Sequence, residues 1–437
     1  MMSIRKASRR GMAAVQIVLC LTVLVGIAAL TVDGGMLVAE RRHAQATADA
    51  AALAGASELF RKYASDAGAD SSGTATASAK TIATANYSSD PTNLTVSVNI
   101  PPKTATTSYY NGRSGYVEVN VTYAQQRGFS AIWGSSRIPV SAHAVARGQW
   151  VNSNYAILTL DPTANADFNV AGGGSVKVNG GSILIDSNSA SALKNSGGGS
   201  VTATSINVVG GTSGGGSFSP SPATGAAAVQ DPLSSLPAPS PPAPGTIVKS
   251  GKNYTLTPGS YDGNGGPSMP KFTNSDTVTF KQASSNSAGG IYYLYAGLSS
   301  TGGNLSMDSS TTGGLMLYNA GTGSSAGISI TGNSSGTVNL SGLTGVSSTS
   351  YYKGLLLFQA RGSTQDLSVA GNGSFTMNGT IYMPDASLKV TGNGSAPGSV
   401  IGSQYIAKGL TVSGSGSVVV DYTNSVVAPS RFITLVE

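Results

Sequence analysis

The chain has 437 residues, enough for two or three domains with cores of their own, yet only 10% are charged and glycine alone fills 58 positions. That balance excludes an ordinary cytosolic enzyme domain, in which about a quarter of residues are charged, and points to an extracytoplasmic β structure rich in tight turns. The net charge of +6 is no nucleic-acid signal, because it divides as +4 over residues 1–62, +2 over 63–150 and 0 over 151–437, with no basic patch to track phosphates.

The N-terminus carries Arg5, Lys6, Arg9 and Arg10 with no acid among them, and then GMAAVQIVLCLTVLVGIAALTV, 22 uncharged residues from Gly11 to Val32. As a helix this run reaches about 33 Å, the span of a bilayer's hydrocarbon layer. The basic flank predicts a cytoplasmic tail over 1–10, a transmembrane helix over 11–32 and everything after Val32 outside. A cleaved signal peptide is the rival reading. Its apolar core would be about 7 to 15 residues, and no small-x-small site closes this run before Asp33. Cys20, the only cysteine, lies inside the run, so no disulfide and no cysteine-pair zinc site is available to the rest.

Residues 33–63 are alanine-rich and free of proline, which predicts a helical stalk continuing the span outward after a weak point at Gly34 and Gly35. His43 reads there as a solvated helix residue. Period-2 alternation then marks strands at Leu94–Ile100, Tyr116–Tyr123 and Ile138–Ala146, so 64–150 is expected to form a small α+β module of three or four antiparallel strands. His143 reads as a surface residue of the last strand, opposite Val140, Ala142, Ala144 and Ala146.

The run from Arg9 to Ala56 resembles the N-terminal region of TadE/TadG-like proteins of Tad, or tight-adherence, pilus assembly systems. The Gly-x-Ala-rich helix, the Val-Asp-Gly-Gly exit and the Gln-x-x-Ala-Asp-Ala-Ala-Ala-Leu-Ala-Gly stalk carry the likeness, and RGFSAIWGSSRIPVSAHAVARG extends it loosely to Gly148. The resemblance implies a non-catalytic, single-pass inner-membrane protein of a bacterial adhesive pilus or related secretion apparatus. Its N-terminus would be cytoplasmic and its C-terminal bulk periplasmic or extracellular, with the cytoplasmic membrane and pilus or secretion-apparatus proteins as partners. Some relatives are pseudopilins cut after a glycine, with a glutamate five residues on. Here Gly11 stands before Met12, but Gln16 occupies the glutamate's place, which favours an uncut, TadG-like chain.

From Tyr155 glycine and serine dominate. LSVAGNGS, LKVTGNGS and LTVSGSGS begin at Leu367, Leu388 and Leu410, with looser copies from Ile328 and Phe168. A period near 20 residues with one strand and one turn per unit predicts a right-handed parallel β-helix over 155–437, with a β-sandwich as the structural alternative. Leu367, Val369, Leu388, Val390, Leu410 and Val412 would stack inward as its core. Eight of nineteen prolines fall between Pro220 and Pro244, marking 217–245 as a linker or as an excursion from one continuous solenoid.

Chemistry is sparse. The glycine strings lack Walker spacing and the calcium-roll aspartate, so neither a cofactor nor a metal site is expected. A glycan-binding or glycan-cleaving β-helix tethered by its helix, with a cell-surface glycan as its partner, is the alternative function. It needs paired carboxylates, yet the acids after Tyr155 are scattered; Asp366 and Asp385 could be neighbours on stacked coils, but an isolated turn aspartate explains each more simply. Tyr292, Tyr293, Tyr295, Tyr351, Tyr352 and Tyr382 could face sugars, though packing explains them more simply.

Overall fold

A computed structural model describes residues 10–151, 153–282, 290–309, 312–332, 336–345, 350–392, 400–415, 417–423, 425–430 and 433–437. The chain folds as two compact units, Met1–Trp150 with Phe432–Glu437, and Val151–Arg431. The last residues, expected to close the β domain, belong instead to the first unit.

In the first unit α1 runs unbroken from Arg10 to Arg61, through Gly34 and Gly35, where a weak point was expected. Its outer half carries alanine at 44, 48, 52 and 56, one per helical turn, and every one is fully buried. A second helix, α2 (Thr74–Asn86), which the polar look of the sequence conceals, presents Ala75, Ala79 and Ala83 at the same spacing. Small side chains on both faces let the two helices pack closely. Under them lies an antiparallel sheet of β1 (Leu94–Asn99), β2 (Tyr116–Gln125) and β3 (Ile138–Arg147), whose Val117, Val119, Val121, Ala144 and Ala146 complete the core. The fourth strand is Thr434–Leu435, which pairs with β3 through Arg147 and Thr434. The entire second unit is therefore inserted in the chain between two neighbouring strands of this sheet.

The second unit is all β, and nearly all its strand pairs are parallel, unlike an antiparallel sandwich. Identical positions of the repeat stack in register: Ile328 on Leu367, Leu367 on Leu388, Leu388 on Leu410, Leu410 on Phe168 and Phe168 on Leu193. The six repeat residues Leu367, Val369, Leu388, Val390, Leu410 and Val412 are all buried in one continuous apolar core. Glycine ends each copy for a steric reason. Gly414 has φ +80°, and a Cβ there would stand 2.2 Å from the carbonyl oxygen of Gly392 in the copy beneath.

The order of stacking is not the order of the chain. In the largest sheet the strand Tyr155–Thr159 lies between Ser182–Ile185 and Gln404–Gly414, so the first and last strands of that sheet are neighbours in mid-stack. From there the chain builds outward through Ile206–Val208 to Ala223–Thr224, crosses to the opposite end at Gly259–Tyr261, and returns inward. The proline-rich segment makes the crossing as a strap. Leu233 and Leu236 are buried on a second apolar layer formed by Leu158, Leu184, Tyr293, Met316, Tyr318, Phe358, Tyr382 and Ile406. These strands are thus covered on both faces, which is why they read as unbroken apolar runs such as ILI (183–185), IYYLY and LLLF (355–358) rather than alternating ones.

Candidate membrane-exit site

The apolar run of α1 is almost wholly exposed, with Ile17, Leu24 and Leu30 each more than half uncovered. It is the one helix among the described residues long and apolar enough to cross a membrane. Among its described side chains up to Val32 only Ala29 is buried. Asp33, the first charged residue after the run, follows one turn later on the same face. Its carboxylate accepts the backbone N–H groups of Phe129 (2.9 Å) and Ser130 (2.6 Å), docking the 3₁₀ turn Phe129–Trp133 of the β2–β3 connection onto the helix. Hydrogen bonds from Ser130, followed by one from Phe129 and the charge of Arg127, hold the Asp33 carboxyl below the usual carboxylate range. A Cβ at Gly128 would lie 2.4 Å from Asp33 Oδ1, so a side chain there would displace the carboxylate that holds the turn. Leu30, Met36, Leu37, Arg127 and Ile138 line a cleft of about 340 Å³ at this junction.

Farther out, Tyr87 Oη donates to Glu40 Oε1 at 2.5 Å and stacks on His43, while Tyr123 Oη donates to Asp90. His143 is not the plain surface residue its strand position suggested. It lies 3.1 Å from Glu118, a fully buried carboxylate that also accepts the N–H groups of Lys103 and Thr104 and the amide of Asn99. Burial acts against the Glu118 charge, yet these donors hold its pKa down to about 2. With the Thr104 hydroxyl, four donors from Asn99, Lys103 and Thr104 converge on this one acid and fix the β1–β2 connection.

Of the residues singled out from sequence, Arg5, Lys6 and Arg9 lie outside the described residues. Arg10 opens α1, Gly11 and Met12 follow in it, and Gln16 is exposed on it. In the second unit the aspartates mostly hold backbone. Asp366 accepts the N–H of Ser387 and meets Lys389; Asp385 accepts that of Gly362; Asp186 accepts the N–H of Val229 in the strap, and Asp231, itself in the strap, accepts that of Leu233. Tyr292 and Tyr382 are fully buried and Tyr293 nearly so, so none of the three offers a sugar-stacking face. Among the described residues no three His, Cys, Asp or Glu side chains converge as metal ligands.

Asp33, Phe129 and Ile132 escaped the sequence reading. The available signal was the lone acid ending the apolar run together with an apolar FSAIW turn in an otherwise polar connection. Residues 11–58, which hold the run, Asp33 and the alanine ladder, match the family described as putative Flp pilus-assembly TadE/G-like. No curated protein and no solved structure matches the chain.

Proposed function

We propose, with the TadE/G-like character of residues 11–58 as premise, that the protein is a membrane-anchored structural component of a Tad-type pilus or related secretion apparatus. The observation that carries this reading is a single helix in which the exposed apolar run passes without a break into the packed alanine ladder, all within the matched segment. Such a helix ties a folded module rigidly to the bilayer. Arg5, Lys6, Arg9 and Arg10 would keep the N-terminus cytoplasmic, leaving both units outside. Gln16 in place of a glutamate favours an uncut Gly11–Met12 bond.

The second unit is read as a parallel β-helix. In-register parallel stacking, a repeat near 20 residues and a glycine column support that architecture. A stack held by backbone ladders and a continuous core suits a rigid projecting surface, with pilus or secretion-apparatus proteins as partners.

The test is the N-terminal sequence and envelope fraction of the native protein. An intact N-terminus in carbonate-resistant inner membrane, with the β unit digested by protease added to spheroplasts, is the expected result. Recovery as a soluble protein beginning near Asp33 would overturn the anchor, and a start at Met12 in sheared filaments would make it a pilus subunit.

A further inference from the structure

The β2–β3 connection is placed where a water-exposed apolar tip is hardest to explain. Phe129 is 51% exposed and Ile132 80%; of the exposed apolar residues of this unit beyond Asp33, Ile132 is the most uncovered, ahead of Tyr109 at 55% and Val38 at 54%. Both belong to the 3₁₀ turn whose N–H groups are held by Asp33, so they sit at the level of the first charge beyond a run that itself matches the hydrocarbon thickness. Below Asp33 the same face is covered at Ala29, inside the run, whereas Leu30 and Val32 beside it are open. Leu30 of the span and Gly128 and Ser130 of the connection line one cleft, so the turn stands beside the end of the apolar run. The turn is flanked by cations. Arg127, whose charge also acts on Asp33, closes its base by donating to the Ser136 carbonyl (2.7 Å), and Arg137 donates to the Ala124 carbonyl and pairs with Asp90 at 3.5 Å, which keeps both guanidinium groups near the foot of the connection. Apolar side chains at the tip with arginines behind them match the acyl boundary and the anionic headgroups of a lipid leaflet.

We propose that the turn Phe129–Trp133 is a second membrane contact, with Phe129 and Ile132 seated in the lipid interface beside the exit of α1. This rests on α1 spanning the bilayer. Two contacts on one leaflet, joined through Asp33, fix the rotation of the helix about its axis and the tilt of the first unit, which a lone span leaves free. Asp33 and Gly128 are positioning residues in this arrangement: one holds the turn and the other leaves room for it.

The experiment uses the full chain with Cys20→Ser, reconstituted in phosphatidylethanolamine and phosphatidylglycerol vesicles. Single cysteines replace Val25 in mid-span, Ile132 in the turn and Ser114 in an exposed loop, each carrying an environment-sensitive fluorophore, and lipids brominated at different depths act as quenchers. The expected result is quenching at 25 by deep bromines, quenching at 132 by shallow bromines several-fold above the level at 114, and no dependence of the signal at 132 on protein-to-lipid ratio. Quenching at 25 with none at 132 above the level at 114 overturns the second contact and leaves the anchor standing. An unquenched label at 25 overturns the anchor itself. Shielding at 132 that grows with protein density and excludes the lipid quencher assigns the turn to a second copy of the chain and also overturns the proposal.

Discussion

Asp167 is 5% exposed and its Oδ2 has no hydrogen-bond partner. Burial, aided by the charges of Asp161 and Asp186, pushes its pKa up to about 7. Because the folded value lies above the ordinary 3.8, the folded unit holds a proton between these values that the unfolded chain releases. Stability is thus greatest below the unfolded value and falls as pH rises towards about 7. Asp167→Asn is expected to leave the melting temperature of the β unit nearly unchanged at pH 4 and to raise it at pH 8, by an amount equivalent to about 2–4 kcal/mol. Thermal melts of both proteins across that range check it, and a variant equally stable or weaker at pH 8 refutes the assignment. Residues of this kind are poorly legible in sequence. The stacked leucines and valines announce themselves by repetition, but Asp167, Glu118 and Asp33 owe their environments to partners far along the chain, and a lone acid has no period.

At the scale of elements, the strap is held by few side chains. Arg361 donates to the carbonyls of Leu233 and Leu236, both at 2.8 Å, and Tyr382 Oη donates to Asp231 Oδ2 at 2.6 Å. Removing the guanidinium by Arg361→Ala strips the strap of its charged donor while leaving the strands beneath paired. Cleavage within 226–244 by a proline-tolerant protease is expected to speed up roughly ten-fold, the equivalent of about 1.4 kcal/mol of local opening, with the strand core staying resistant. Unchanged cleavage would show that the buried Leu233 and Leu236 and the remaining hydrogen bonds hold it without the guanidinium. The sequence shows where this segment leaves regular structure, since eight prolines cannot join an inner strand. What it covers is less visible: ILI, IYYLY and LLLF demand a second apolar layer, but nothing local says which segment supplies it. Likewise α2 is hidden because its buried face is made of alanines, whose spacing carries little hydrophobic contrast.

For the whole molecule, the inserted unit begins and ends at one point: Val151 N–H donates to the Ser430 carbonyl at 3.1 Å in an antiparallel bridge. The first unit should therefore tolerate its loss. Replacing residues 152–429 by a short glycine-serine linker is expected to preserve membrane association and a protease-resistant helical module, because Thr434–Leu435 can still reach β3. Limited proteolysis of the membrane fraction checks this, and degradation of the shortened protein would mean the inserted unit is needed to hold the sheet together. The family-like helix and the repeat were readable from the chain because each is local; the insertion was not, since its only sequence mark is a two-residue strand at the far end.

The mid-stack meeting of Tyr155–Thr159 with Gln404–Gly414 also sets a timetable. The pairing of Ile157 with Tyr405 joins residues about 250 positions apart, and at roughly 5–20 residues per second that interval of synthesis lasts on the order of 12–50 s. Throughout it the Tyr155–Thr159 strand, though already backed by Ser182–Ile185, presents an open edge of backbone donors and acceptors that any passing strand can join. A nascent chain must be shielded at that edge until its last repeats emerge, so the vulnerable moment in the life of this protein is the closing of a seam near its middle rather than the growth of its ends.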